Sequence, residues 1–481
     1  MANVDDIQHR SARSVKWVGI AELVVRLIQF GTSLVLARLL LPEDFGVMSL
    51  VFVFMNLAYV VFDFGFTSAL IQHKDVTEEH LATTFVTYVF GGMVFVGLVL
   101  MGAPVIAHFF GVLQLSPMLR VLSLIFVFYT FSALPKVLLM RELQFHRLSR
   151  FQMVGAVGYA SVAISVALGG GGAWCFVFAA LTEQLLVTLL AIWATHWRPR
   201  WQFSMAVFRE LFQFGGSVLA TRLVGYLNTN LPQIIIGRVL GTTILGYYAL
   251  AYQLIDLPVQ RISKNVLKVM FPAFSKLQDQ PIAYRHMYQQ TVYFLALVTF
   301  PIFVGLFLLA PELVPFLYGE KWLPAVLPLQ ALALLGLMRS LWTTTSVVFL
   351  SKGKPQIELK LQVILLIVLP PILFWSAQVQ FNTLLVALVM LYALLLLGGI
   401  HQALRLVLIP PLQYIKIYSL PVGASLVFVV LGELVRLIPG ITQYRVITIL
   451  LIALIGGGMY LLITLRSDKT LFQKIGKFIA A

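Results

Sequence analysis

The sequence predicts an all-α integral membrane protein of about 14 transmembrane helices, with two pseudo-symmetric six-helix lobes, two extra C-terminal helices and both termini cytoplasmic. Three observations lead there. The 481 residues are 60% hydrophobic and only 11% charged, against about 45–50% apolar and about 25% charged in a soluble domain. Basic residues gather in alternate connections. A polar helix face then recurs after 200 residues, in register.

Apolar runs bounded by Pro, Gly or charge place the first six spans at 15–40, 45–71, 81–109, 117–139, 151–168 and 173–195. A basic cytoplasmic linker, 196–210, follows. The next eight fall at 211–240, 245–271, 287–309, 325–350, 357–377, 383–404, 412–437 and 445–465. The domain organisation expected is therefore 15–195 and 211–405 for the lobes, and 412–465 for the additional pair. Residues 1–14 are polar overall, with Asp5, Asp6, Arg10 and Arg13. Helix one is accordingly expected to act as an uncleaved insertion signal.

Arg and Lys populate both ends and nearly every even-numbered connection, as at Arg141, Arg147 and Arg150, or Lys352, Lys354 and Lys360. The connection after span two departs from this, with Lys74 among Asp75, Glu78 and Glu79. Arg436 and Arg445 flank an odd connection and fit the asymmetry poorly. On the whole the pattern is that of basic cytoplasmic loops. It also accounts for the net charge of +15 without a nucleic-acid partner.

Several function classes are set aside. No connection is much longer than about 20 residues, which argues against a soluble catalytic domain. No Gly-rich loop ending in Gly-Lys-Ser/Thr is present to cradle a nucleotide phosphate. Cys175 is the only cysteine, which excludes an intramolecular disulfide. The histidines are scattered, mostly in connections, so no metal site is expected.

The repeat carries the candidate substrate site. Its first copy is Glu22, Arg26, Gln29 and Ser33; its second is Arg222, Tyr226, Thr229 and Gln233. Each set has helical spacing and lies on one face. The register runs on, aligning Arg38 with Arg238, Gly46 with Gly246 and Leu50 with Leu250. Polar groups at membrane depth are costly and usually mark a pathway. Two parallel copies point to a two-lobed transporter. Arg26 and Arg222 would hold an anionic headgroup from opposite lobes, because a guanidinium bonds two phosphate oxygens at once. The competing use is a structural ion pair or brace. Glu22 is also placed to pair with Arg26 within its own helix.

Other charged residues are weaker candidates. Arg261, Lys264 and Lys268 form a basic stripe suited to anionic headgroups, or to ordinary cytoplasmic anchoring. Asp63, Glu183 and Asp256 are intramembrane carboxylates that could couple transport to H+ or Na+, or simply bond helices together. Pro135, Pro232, Pro258 and Pro301 lie inside spans and are expected to kink them.

Several motifs carry a family resemblance. Leu36-Ala-Arg-Leu-Leu-Leu-Pro-Glu-Asp-Phe-Gly46 resembles the end of helix one in bacterial polysaccharide exporters, and Phe62-Asp-Phe-Gly-Phe-Thr-Ser-Ala-Leu-Ile-Gln72 the close of their helix two. Leu245-Gly-Tyr-Tyr-Ala-Leu-Ala251, Val269-Met-Phe-Pro-Ala-Phe-Ser-Lys276 and Tyr318-Gly-Glu-Lys-Trp322 resemble later signatures. Together they resemble the Wzx-like flippases, in particular the colanic-acid-exporter-like subgroup of the multidrug/oligosaccharidyl-lipid/polysaccharide exporter superfamily.

That resemblance implies two six-helix lobes around a cavity lined partly by helices one and seven. It implies an alternating-access flippase in the bacterial inner membrane, carrying undecaprenyl-pyrophosphate-linked oligosaccharide to the outer leaflet for surface polysaccharide assembly. Arg26 and Arg222 would meet the pyrophosphate. No cofactor is implied. The partners expected are the lipid-linked substrate, the bilayer, and a polysaccharide polymerase with its co-polymerase; the chain is expected to be monomeric. A drug or cation exporter of the same superfamily is the alternative, although it should show an acidic, aromatic cavity. A membrane polymerase or glycosyltransferase is a further alternative, and should show a longer loop with catalytic carboxylates or His.

Overall fold

The computed structural model describes residues 4–73, 75–195, 197–259 and 264–467. Every regular element among them is helical. In chain order the first are α1 (Val4–Leu39), α2 (Pro42–Phe62), α3 (Phe66–Gln72), α4 (Glu78–Phe110), α5 (Leu115–Leu122), α6 (Ile125–Arg141), α7 (Phe145–Leu168), α8 (Trp174–Thr195), α9 (Met205–Val239) and α10 (Thr242–Pro258). There follow α11 (Lys264–Lys276), α12 (Pro281–Tyr318), α13 (Val326–Ser351), α14 (Pro355–Val379), α15 (Phe381–Val407), α16 (Pro411–Ile417), α17 (Ser419–Arg436), α18 (Arg445–Leu451) and α19 (Gly458–Ser467).

Among the described residues, eleven helical stretches are long and apolar enough to cross a membrane. Their outward faces explain why the chain belongs there. On α15, Val386, Met390, Leu394 and Leu397 share one face and are 59%, 61%, 66% and 62% exposed. An apolar stripe of that kind is stable against lipid and not against water. The helices α1, α9 and α10 are not among the eleven. The first two carry the polar stripes, and α10 is only 17 residues long.

The chain divides into two compact units, Met1–Gly246 and Tyr247–Ala481. In the first, α7 packs on α8 and α1, α6 on α8, and α2 on α9. Thus α9, which the repeat sets at the head of a second lobe, packs within the first unit. In the second, α12 and α15 pack on α13, α14 on α15, and α17 on α12.

The repeat becomes physical where α2 meets α10. A Cβ on Gly46 would lie 1.7 Å from the Thr242 carbonyl oxygen, and one on Gly246 would lie 1.8 Å from that of Pro42. Residues 42 and 242, like 46 and 246, are 200 apart, so the crossing is reciprocal. Glycine at both positions lets two backbones touch.

One apolar run that reads as a single span, the second, is interrupted. It breaks after α2 at Asp63, where Phe64 and Gly65 take φ of 47° and 75° before α3 resumes. The glycine tolerates this left-handed turn; Phe64 holds it at a cost of about 1–3 kcal/mol. Of the eighth run, α10 and α11 lie on either side of residues 260–263, which are outside the described residues. Helices α6, α9 and α12 continue through Pro135, Pro232 and Pro301, whereas Pro258 is the last residue of α10.

The two arginines that fit the charge asymmetry poorly are both paired. Arg436 lies 2.9 Å from Glu312 and 2.6 Å from Glu433. Arg445 pairs with Glu320.

Candidate functional site

The site is built on the break after α2. Phe62 is fully buried in an aromatic cluster with Tyr88, Phe126 and Tyr129. That cluster fixes the end of α2 and aims the next side chain, Asp63, inward. Asp63 is 4% exposed, a depth at which a carboxylate is stable only when bonded.

Its partners come from four helices. One carboxylate oxygen, Oδ1, accepts from Thr67 Oγ1 at 2.6 Å, Tyr88 OH at 3.1 Å and Tyr129 OH at 3.2 Å. The other, Oδ2, accepts from the Arg222 guanidinium at 3.2 Å. Thus α3, α4, α6 and α9 converge on the C-cap of α2. The other terminal nitrogen of Arg222 donates to Ser68 Oγ at 3.0 Å. Even so, the Arg222 side chain remains 48% exposed. A guanidinium has five N–H donors in a rigid fork. Two bonds set its plane, and its exposed part can still receive an anion.

The rest of the second stripe packs on α2. Tyr226 donates to the Val53 carbonyl at 2.5 Å. Gln233 is buried and accepts from Ser49 Oγ at 2.8 Å. Both were offered to substrate by the sequence reading; here their polar groups bond helices, because α9 lies against α2. Thr229 bonds its own helix at the Gly225 carbonyl, 2.9 Å away.

On the first stripe, Arg26 is exposed and reaches Gln29 Oε1 at 3.4 Å. Glu22 is half-buried and Ser33 is buried. Arg26 and Arg222 do not pack as an opposed pair in the principal helix contacts. Helix α1 packs mainly on α7, and α9 on α2, α3 and α4.

The other candidates lie apart. Asp256 stands 3.8 Å from Arg339, which donates to Tyr252 OH at 2.6 Å, all within the second unit. Glu183 is half-buried on α8 with Lys136 of α6 as its electrostatic partner. Each intramembrane carboxylate named from sequence therefore has a cationic neighbour. Arg261 lies outside the described residues, and so do the side chains of Lys264 and Lys268. Sequence reading did not join Asp63 to Arg222. The available signal was an aspartate and an arginine at membrane depth, since each such charge needs a partner.

The fold and its comparisons define the class: a multi-pass, all-helical membrane protein of a polysaccharide biosynthesis family. The chain belongs to the polysaccharide biosynthesis protein family, which matches residues 35–327. It is 30% identical over 342 residues to the teichuronic acid biosynthesis protein TuaB of Bacillus subtilis, covering 70% of this chain and 71% of that one. It is 27% identical over 359 residues to the lipopolysaccharide biosynthesis protein WzxC of Escherichia coli, covering 74% and 73%.

In fold it is similar to the lipid II flippase MurJ in an inward closed conformation. The TM-score is 0.78 at 16% identity, covering 95% of this chain and 99% of that one. An inward-facing multidrug resistance MATE family transporter of the MOP superfamily gives a TM-score of 0.62 at 14% identity, covering 82% and 98%. The resemblance carried by the sequence motifs is borne out at the level of family.

Proposed function

We propose that this protein is a flippase that moves undecaprenyl-pyrophosphate-linked oligosaccharide from the inner to the outer leaflet of the bacterial plasma membrane by alternating access. In this reading α1, α9 and α10–α11 also cross the membrane. The total is then fourteen helices with both termini cytoplasmic, in lobes 15–195 and 211–405 with an added pair at 412–465. The observation that supports it most is the half-exposed Arg222 guanidinium, oriented by buried Asp63. A diphosphate needs a cation with fixed N–H directions, and this is one. Exposed Arg26 supplies a second cation on α1.

The names of the relatives support the same reading. TuaB and WzxC are described as acting in the biosynthesis of cell-surface glycans, and MurJ as a flippase of a lipid-linked saccharide. A drug or cation exporter fits less well, because the exposed polar groups on these faces include two arginines and a single glutamate. The polymerase and co-polymerase of the same assembly are proposed as functional neighbours.

Deletion of the gene tests this. Surface polysaccharide is expected to disappear, and the lipid-linked repeat unit to accumulate where only reagents admitted to the cytoplasmic side reach it. Accumulation open to an impermeant reagent outside the membrane would place the block after flipping and remove the reading.

A further inference from the structure

Away from the Asp63–Arg222 network, three ligating side chains meet where α3, α4 and α9 come together. His73 follows the last residue of α3, His80 is the third residue of α4, and Glu210 lies near the start of α9. His73 Nε2 stands 2.8 Å from Glu210 Oε1. His80 Nε2 stands 3.8 Å from Glu210 Oε2. The two imidazole rings are 4.9 Å apart.

Two independent observations point to a ligand there. One ligating atom from each of the three residues lies within 4.8 Å of the others. Four-coordinate zinc with bonds of about 2.0–2.2 Å sets its ligand atoms about 3.3–3.6 Å apart, so only small rotations are needed to converge. Second, His80 is 8% exposed, and its Nε2 is buried without a hydrogen-bond partner. A buried imidazole nitrogen with no hydrogen-bond partner, 3.8 Å from a carboxylate oxygen, is a candidate coordination position.

The surroundings fit the same use. His80 Nδ1 lies 2.7 Å from Thr77 Oγ1 and accepts from the Thr77 backbone N–H at 3.3 Å. Zinc at Nε2 requires the ring proton on Nδ1, where the Thr77 hydroxyl is within reach to accept it, as outer-shell partners do for metal-bound histidines. Arg141 holds the Leu70 and His73 carbonyl oxygens at 2.5 and 2.7 Å, fixing where His73 leaves α3.

We propose that His73, His80 and Glu210 form a zinc(II) site that ties the α3–α4 connection to the start of α9. Sequence alone predicts no metal site, because the histidines are scattered, mostly in connections; Glu210 lies 137 residues from His73. Two nitrogens and one carboxylate oxygen form a borderline donor set suited to zinc, with a fourth position left to water. The site does not depend on the flippase reading.

The test uses the full chain, purified with a tag free of histidine and stripped of metal. Zinc chloride is titrated, bound metal is counted after equilibrium dialysis, and cobalt(II) replaces zinc as a visible-absorption probe. The wild type is expected to bind one zinc and to give the intense absorption of four-coordinate cobalt. Glu210→Gln and His73→Gln should each weaken zinc at least tenfold, with unchanged unfolding temperature in the metal-free form. Thr77→Val, which removes the outer hydroxyl, should weaken it about tenfold. Wild type that binds no zinc, or equal affinity in wild type and both glutamine variants, would overturn the proposal.

Discussion

Arg222→Ala is expected to reduce polysaccharide export at least tenfold while the protein still folds and inserts. The guanidinium is 48% exposed, so removing it opens no apolar cavity. Asp63 keeps three hydroxyl donors on Oδ1 when Arg222 is gone. What disappears is a charged donor set in a fixed plane. Hydrogen bonds to a charged group contribute about 1.5–3 kcal/mol, which corresponds to roughly 10–100-fold in a binding or rate constant.

Arg222→Lys should recover only part of this. An ammonium is a point charge and cannot span Asp63, Ser68 and a phosphate in one plane. Asp63→Asn should mislay the guanidinium without removing it. It should also destabilise by about 1–3 kcal/mol, since one buried acceptor becomes an amide. Because the residues touch, the double variant Asp63→Asn/Arg222→Ala should export no worse than Arg222→Ala within about twofold, well short of additivity. Surface polysaccharide in a complemented deletion strain, normalised to membrane-inserted protein, reads all four variants. Wild-type export by Arg222→Ala would reduce the network to a structural brace.

A second large effect is expected at the reciprocal glycine crossing. A methyl group at Gly46 or Gly246 would overlap a carbonyl oxygen of the facing backbone, at 1.7 or 1.8 Å. Overpacking against side chains costs about 1–3 kcal/mol. A backbone oxygen yields less than a side chain, so Gly46→Ala and Gly246→Ala should each cost about 3 kcal/mol or more. The symmetry of the contact makes the two losses similar. Thermal unfolding in detergent should place both variants well below wild type. An unchanged midpoint in either would mean that the helices can part there freely.

Much of the architecture was legible because a bilayer imposes a coarse requirement. A helix must be long and apolar, and its connections must carry charge in a consistent pattern. The relation between α2 and α10 was also visible, since a repeat preserves register. Gly46 and Gly246 aligned by sequence and touch the equivalent partners in space.

The site was less legible, for reasons specific to its residues. Asp63 and Arg222 are 159 positions apart, and no local periodicity links them. The break at Asp63 hides within a continuous apolar run. Phe62-Asp-Phe-Gly-Phe reads as membrane span, and Gly65 is the one residue in it that hints at the left-handed turn taken by Phe64 and Gly65. The helical spacing sets the polar stripe of α9 on one face. Sequence periodicity could not tell that Tyr226 and Gln233 would be taken up by α2, leaving Arg222 as the exposed charge. His73, His80 and Glu210 were passed over because ligands assembled from three helices leave no spacing signature.

The most direct test of the central claim is transbilayer movement by the purified protein. Proteoliposomes would be loaded with undecaprenyl-pyrophosphate oligosaccharide in both leaflets, and an impermeant oxidant or glycosidase added outside. The account predicts that with wild-type protein nearly all of the lipid is consumed over time. With Arg222→Ala, or in protein-free vesicles, consumption should stop near the outer-leaflet half. Wild-type protein that also stops at half, under any imposed H+ or Na+ gradient, would contradict it.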